Sequence, residues 1–115
     1  MGRAEPSFTV GIEEEYLLID RTSRDVVVDP PRELFAECQA LAGRDVVEPE
    51  LLRSQIEVET CVCNTVGEAR EELAKLRGIA ASVAANYGLA PIAASTHPFA
   101  EWHVQRFTDK QRYHT

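Results

Sequence analysis

The sequence predicts an α+β fold, an antiparallel sheet flanked by helices, and three observations carry that expectation. Apolar and acidic residues alternate over residues 8–19 and again over 54–62, the two-residue period of strands. Apolar residues recur at spacings of three and four over residues 69–87, the period of a helix packed on one side. Short polar or Gly/Pro-bearing turns separate these segments throughout.

The first strand runs from Phe8 to Ile19. It places Glu13 and Glu15 on one face, and Val10, Ile12, Tyr16 and Leu18 on the other with Glu14 among them. Residues 21–25 form a polar turn, and Val26-Val27-Val28 returns as the second arm of a hairpin. Asp29-Pro30-Pro31 opens a short amphipathic helix with Leu34, Cys38 and Leu41 on one stripe and Gly43 as its stop. The segment 45–62 turns near Pro49 and becomes a strand from about Ser54, with Glu57 and Glu59 sharing one face and Ile56, Val58 and Val62 the other.

Thr65-Val66-Gly67-Glu68 reads as a capping box for the principal helix, whose apolar stripe is Ala69, Leu73, Leu76, Ala80, Val83 and Tyr87 and which ends at Gly88. Leu89 to Ala94 is a short strand with an edge-type proline, followed by a loop over residues 95–99. Thr108 or Asp109 caps a helix that begins with Lys110-Gln111-Arg112-Tyr113 and has no room to continue before Thr115. The expectation is therefore one domain, residues 1–115, that is the N-terminal portion of something longer.

A chain of 115 residues suffices for one core and not for two. Its 44% hydrophobic and 27% charged content is that of a globular protein, without a run approaching the ~18 apolar residues of a membrane span. No basic-then-apolar leader is read, which makes the cytoplasm the expected location. A net charge of −7 argues against nucleic acid or an anionic membrane as partner. Cys38, Cys61 and Cys63 form no C-x-x-C pair, so they are read as reduced, mostly packed thiols. There is no Gly-rich phosphate loop, so any nucleotide must be held by metal and side chains.

Two carboxylates on alternate strand residues lie roughly 7 Å apart and repel by about 2 kcal/mol at an effective dielectric of 20, unless a cation sits between them or one stays protonated. Glu13, Glu15 and Glu57, with Glu50 a further candidate, thus form an oxygen-rich set suited to Mg2+ or Mn2+. The same pattern also fits glutamates projecting to solvent from a one-sided sheet, and spacing alone leaves both readings open. His97, Trp102, Gln105 and Arg112 are candidate substrate contacts, offering an imidazole in a loop, an aromatic face, an amide and a cation. In the bland alternative, Phe99, Trp102 and Phe107 are core and His97 is a surface residue.

Three segments in order carry a resemblance: Gly11-Ile12-Glu13-Glu14-Glu15-Tyr16, the Glu50 to Glu57 region closing in Gln55-Ile56-Glu57-Val58-Glu59-Thr60, and Thr96-His97-Pro98-Phe99 with Trp102, Gln105, Arg112 and Tyr113. Together they resemble the N-terminal part of the carboxylate-amine ligases of the type-2 glutamate–cysteine ligase family. The resemblance implies a catalytic domain like that of glutamine synthetase, with ATP and divalent cations on the concave face of an antiparallel sheet. It implies that ATP phosphorylates the side-chain carboxylate of glutamate and that an amine, such as that of cysteine, displaces the phosphate. Glu13, Glu15 and Glu57 match the family's metal-binding acids, and Glu50 falls where relatives carry another. Arg53 and Glu59 depart from the pattern, which bears on amine specificity more than on the metal. The resemblance further implies that these residues alone are catalytically incompetent. The competing readings are a non-catalytic acidic domain that binds cations or a partner chain, with a homo-oligomer left open, and a two-metal hydrolase.

Overall fold

Glu13–Asp20 forms β1, the strand around which the rest of the chain is arranged. In the computed structural model, which describes residues 2, 4–43 and 46–113, it is followed by α1 (Arg32–Ala42), β2 (Val47–Pro49), β3 (Gln55–Glu59), α2 (Val66–Asn86) and β4 (Leu89–Ile92). The sheet order is β2-β3-β1-β4, with every pairing antiparallel. Pro49 and Pro91 lie on the two edge strands, where a missing N–H leaves no gap in the ladder.

Both helices cover the same face. Tyr16 and Leu18 of β1, Ile56 and Val58 of β3 and Val47 of β2 meet Leu34 and Cys38 of α1 and Leu76, Ala80, Val83 and Ala84 of α2 in one apolar cluster. The alternation in each strand therefore sends Glu13, Glu15, Glu57 and Glu59 to the opposite face. Glu14, on the helix side, is neutralised there: Arg77 of α2 pairs with its carboxylate, and the Tyr16 hydroxyl donates to it. The Arg77 guanidinium holds the Glu14 carboxyl below its ordinary value, while burial and then the Glu14 hydrogen bond push the Tyr16 phenol up to about 12.

The helix ends follow local chemistry. Thr65 Oγ1 accepts the Glu68 N–H at 3.1 Å, and Glu68 reciprocates one residue earlier than a strict capping box, accepting the Asn64 N–H at 2.7 Å. Gly43 and Gly88 take φ of 75° and 72° after α1 and α2, conformations that a side chain would strain.

Several expectations shift. The first strand starts at Glu13 rather than Phe8, leaving Val10 joined to Cys63 by an isolated bridge. The hairpin arm at Val26–Val28 shrinks to one bridge between Val26 and Ile19, because Pro30 and Pro31 divert the chain into α1. Residues 47–49 are a strand and not only a turn, which adds a fourth strand and a further acid, Glu48. Leu41 is 62% exposed and leaves the core stripe. The terminal helix reduces to a 3-10 turn at Gln111–Tyr113, and Thr108 does not cap it, since its hydroxyl donates to the Glu50 carbonyl. Asp45 and Thr115 lie outside the described residues. Among the described residues, no helix is long and apolar enough to cross a membrane.

Candidate functional site

Strand register decides which acids meet. Glu13 lies opposite Glu59 and Glu15 opposite Glu57 across β1 and β3, and Glu48 lies opposite Glu57 across β2 and β3. The Leu18 N–H to Ser54 carbonyl bond (2.8 Å) and the Thr60 N–H to Ile12 carbonyl bond (2.9 Å) put the bonded rungs at even positions of β1. The two glutamate pairs between β1 and β3 therefore occupy the non-bonded rungs, where cross-strand side chains approach most closely. Like charges set opposite one another destabilise a sheet unless something compensates them.

Three of these carboxylates converge. Ligand oxygens of Glu13, Glu57 and Glu59 lie within 4.8 Å of one another on the face opposite the helices, Glu13 exposed and the other two half-buried. Glu15 shares their face but accepts a 2.6 Å hydrogen bond from Gln55 Nε2 and stands outside the trio. Glu59 takes its place. Glu57 also shares a hydrogen bond with Glu50, and burial first, then Glu50 and the charges of Glu13 and Glu59, pushes the Glu57 carboxyl up to about 7. For Glu50, burial acts upward, but hydrogen bonds from Tyr113, Glu57 and the Leu51 N–H outweigh it and hold the group below its ordinary value. Glu50 and Glu57 thus form an acid pair, one lowered and the other raised, beside Glu13 and Glu59.

The C-terminal segment supplies the supports of Glu50. Arg53 N–H donates to the Arg106 carbonyl at 2.8 Å and Thr108 N–H to the Leu51 carbonyl at 2.9 Å, laying residues 106–108 beside 51–53. That contact brings the Tyr113 hydroxyl to 3.0 Å from Glu50 Oε1. Arg112 donates to the Tyr113 oxygen at 2.6 Å, stacks over its ring at 4.8 Å and places its positive charge near Glu50.

The other proposed substrate contacts stand apart from this cluster. His97 Nδ1 accepts the Phe99 and Ala100 N–H groups at 3.2 and 3.1 Å, so Nε2 carries the proton and donates to the Arg24 carbonyl at 2.8 Å. The ring thereby ties its loop to the β1 turn, where Arg24 takes φ of 64°. Trp102 is 84% exposed in a 3-10 turn, and Gln105 donates to the Glu101 carbonyl at 3.2 Å with its own oxygen buried and, among the described residues, without a hydrogen-bond partner. Sequence reasoning passed over Glu48 and underrated Glu59 and Tyr113. The alternation Val47-Glu48 before Pro49 was the signal for the first.

Two hollows adjoin the sheet. One, of about 470 Å³, lies beside Glu14, Glu15 and Tyr16 where β4 has ended and residues 93–95 diverge. The other, of about 370 Å³, lies between α1 and the C-terminal segment, with Phe35 and Pro49 as apolar wall and Arg32, Arg53 and Lys110 as cations.

The family description "Glutamate-cysteine ligase family 2" matches residues 9–115 of this chain. Among individual proteins, the chain is 55% identical over 112 residues to a Rhodospirillum rubrum protein named "Putative glutamate--cysteine ligase 2", covering 95% of the chain and 29% of that protein. Proteins of the same name from Paracoccus denitrificans and Chloroflexus aggregans are 49% identical over 109 residues and 38% over 116, covering 95% and 96% of the chain and 28% of each relative. The chain thus spans under a third of the length of the curated relatives it matches.

Proposed function

This chain belongs to glutamate–cysteine ligase family 2, and from that premise we propose that it supplies the acid-lined sheet of an ATP-dependent carboxylate-amine ligase. In this reading residues 1–115 are the N-terminal part of a catalytic domain resembling that of glutamine synthetase. ATP and glutamate are substrates, and an amine such as that of cysteine is the acceptor. The observation that carries the reading is the convergence of Glu13, Glu57 and Glu59 to within 4.8 Å on the sheet face opposite the helices.

The donor set fits Mg2+ or Mn2+. It is all oxygen, and burial first, then the hydrogen bond and charge of Glu50 and the charges of Glu13 and Glu59, push the Glu57 carboxyl up to about 7. When bound, the cation neutralises phosphate oxygens during phosphoryl transfer. The chain's own groups do the rest. Glu13, Glu57 and Glu59 would hold the cation, with Glu57 releasing its proton to solvent on binding. Tyr113 and the Leu51 N–H keep Glu50 oriented at the margin, and Gln55 fixes Glu15 facing the same surface. Arg112 is placed to meet a substrate carboxylate or phosphate near this rim.

The test is phosphate release by the complete protein. Turnover should require ATP, Mg2+, glutamate and an amine together, and Glu13→Gln or Glu57→Gln should lower it by more than about 100-fold, the equivalent of roughly 3 kcal/mol of lost transition-state stabilisation. Unchanged turnover in either variant removes that residue from the site. Metal-dependent hydrolysis without ATP would instead mark a two-metal hydrolase, and cation binding without any turnover a non-catalytic acidic domain.

A further inference from the structure

We propose that Cys61 and Cys63 form a reversible thiol–disulfide switch at the end of β3, oxidised by low-molecular-weight disulfides. The two sulfurs lie 3.8 Å apart, on the same side of the chain, with Cys61 exposed and Cys63 buried. Cys63 Sγ also contacts the Cys61 carbonyl at 3.2 Å, so the sulfur is already turned toward its partner. An exposed thiol beside a buried one is the arrangement of an attacking and a resolving cysteine. The Cys61 thiolate attacks the disulfide RSSR, forming Cys61–S–S–R and releasing RS−. The Cys63 thiolate then displaces the second RS−, forming the Cys61–Cys63 bond. In balance, two protein thiols and RSSR yield one protein disulfide and two RSH, with both electrons passing to the reagent.

The spacing makes the bond reversible and gives it an effect. The sulfurs must close from 3.8 Å to the roughly 2.0 Å of a disulfide, and residues two apart in extended chain have Cα atoms roughly 6.6 Å apart, near the upper end of the disulfide range, so closing the bond draws residues 61 and 63 together. Strained disulfides of this kind are the readily reduced ones. The same few residues hold the beginning of β1 in place. Val10 and Cys63 exchange N–H to carbonyl bonds of 2.9 and 2.8 Å, Thr60 N–H donates to the Ile12 carbonyl at 2.9 Å, and Ile12 N–H donates to Thr60 Oγ1 at 2.9 Å. Contraction at 61–63 pulls against this clamp, which lies between the cysteines and the Glu13–Glu59 rung. Oxidation should therefore separate Glu13 from Glu59 and weaken divalent-cation binding, a consequence that rests on the reading of the carboxylate cluster above.

The test equilibrates the protein with mixtures of oxidised and reduced glutathione, quenches with an alkylating agent and maps the peptide containing residues 61–63. The expected result is joint loss of both alkylation sites with an internal disulfide, complete reversal by dithiothreitol, the same behaviour in Cys38→Ser and none in Cys61→Ser. A stable glutathione adduct on Cys61 with Cys63 still alkylated, or two thiols that survive oxidised glutathione, overturns the switch whatever the cluster binds. Mn2+ titration of the oxidised and reduced forms then reads the coupling. At least a ~10-fold loss of affinity on oxidation is expected, and equal affinities with the disulfide present overturn the coupling while leaving the disulfide standing.

Discussion

Replacing Glu57 with glutamine should make the metal-free protein more stable at neutral pH and insensitive to a titration that weakens the parent. In the folded chain the Glu57 carboxyl is pushed from its ordinary 4.5 up to about 7 by burial, Glu50 and the neighbouring acids. A raised carboxyl means the folded state binds the proton more tightly than the unfolded chain. The contribution of Glu57 to stability is therefore greatest below pH 4.5, declines as pH rises through the window from 4.5 to about 7, and reaches its floor above it. The difference corresponds to roughly 3 kcal/mol at about 1.4 kcal/mol per pH unit, and because Glu57 stands on the open face, screening by water reduces the expectation to about 1–2 kcal/mol.

Urea unfolding followed by circular dichroism, in chelator, at pH 5 and pH 8 measures it directly. The parent should lose about 1–2 kcal/mol between the two conditions, and Glu57→Gln should lose much less. Millimolar Mn2+ or Mg2+ should restore the parent at pH 8 and do little for the variant, because a cation offsets the clustered charge only where the carboxylate remains. A variant as pH-sensitive as the parent would refute the argument that Glu57 carries the strain of the cluster.

Other consequences can be checked with the same methods. Glu14→Gln should reduce acid sensitivity, since the lowered Glu14 carboxyl contributes stability present above pH 4.5 and lost as pH falls below it; a variant with unchanged acid unfolding contradicts the Glu14–Arg77 pairing. Leu18→Ala, at a fully buried position in the apolar cluster shared by the sheet and both helices, should cost about 3 kcal/mol in urea unfolding, and a cost under about 1 kcal/mol would place that residue outside the core. Thr65→Ala should cost about 1 kcal/mol by removing the acceptor for the Glu68 N–H, with Thr65→Ser retaining most of it.

The fold was legible wherever one residue period dominated. Ala69 to Tyr87 announced α2 because its stripe never breaks and Thr65 and Gly88 punctuate it; Glu13 and Glu15 announced a directed face because Tyr16 and Leu18 alternate with them. What the sequence concealed were relations between segments. The spacing Glu13-x-Glu15 makes that pair look like the site, yet register sets Glu13 across from Glu59, and a single hydrogen bond from Gln55 takes Glu15 out of the trio. β2 was hidden because three residues ending in proline carry almost no periodicity, so Glu48 went unnoticed. The Tyr113 support of Glu50 spans 63 positions in the chain and depends on backbone pairing of residues 106–108 with 51–53, which no local pattern encodes. His97 reads as a candidate substrate contact from its loop alone; that its Nε2 reaches the Arg24 carbonyl, 73 positions away, is a relation no local pattern encodes.

The central claim is that Glu13, Glu57 and Glu59 together hold one hard divalent cation. Calorimetric titration of the metal-free protein with Mn2+ tests it most directly. The expected result is a single site, proton release near neutral pH that disappears in Glu57→Gln, and at least ~10-fold weaker binding in each of Glu13→Gln, Glu57→Gln and Glu59→Gln, with a smaller effect from Glu15→Gln. Binding that is absent in the parent, or equal in all four variants, would contradict it.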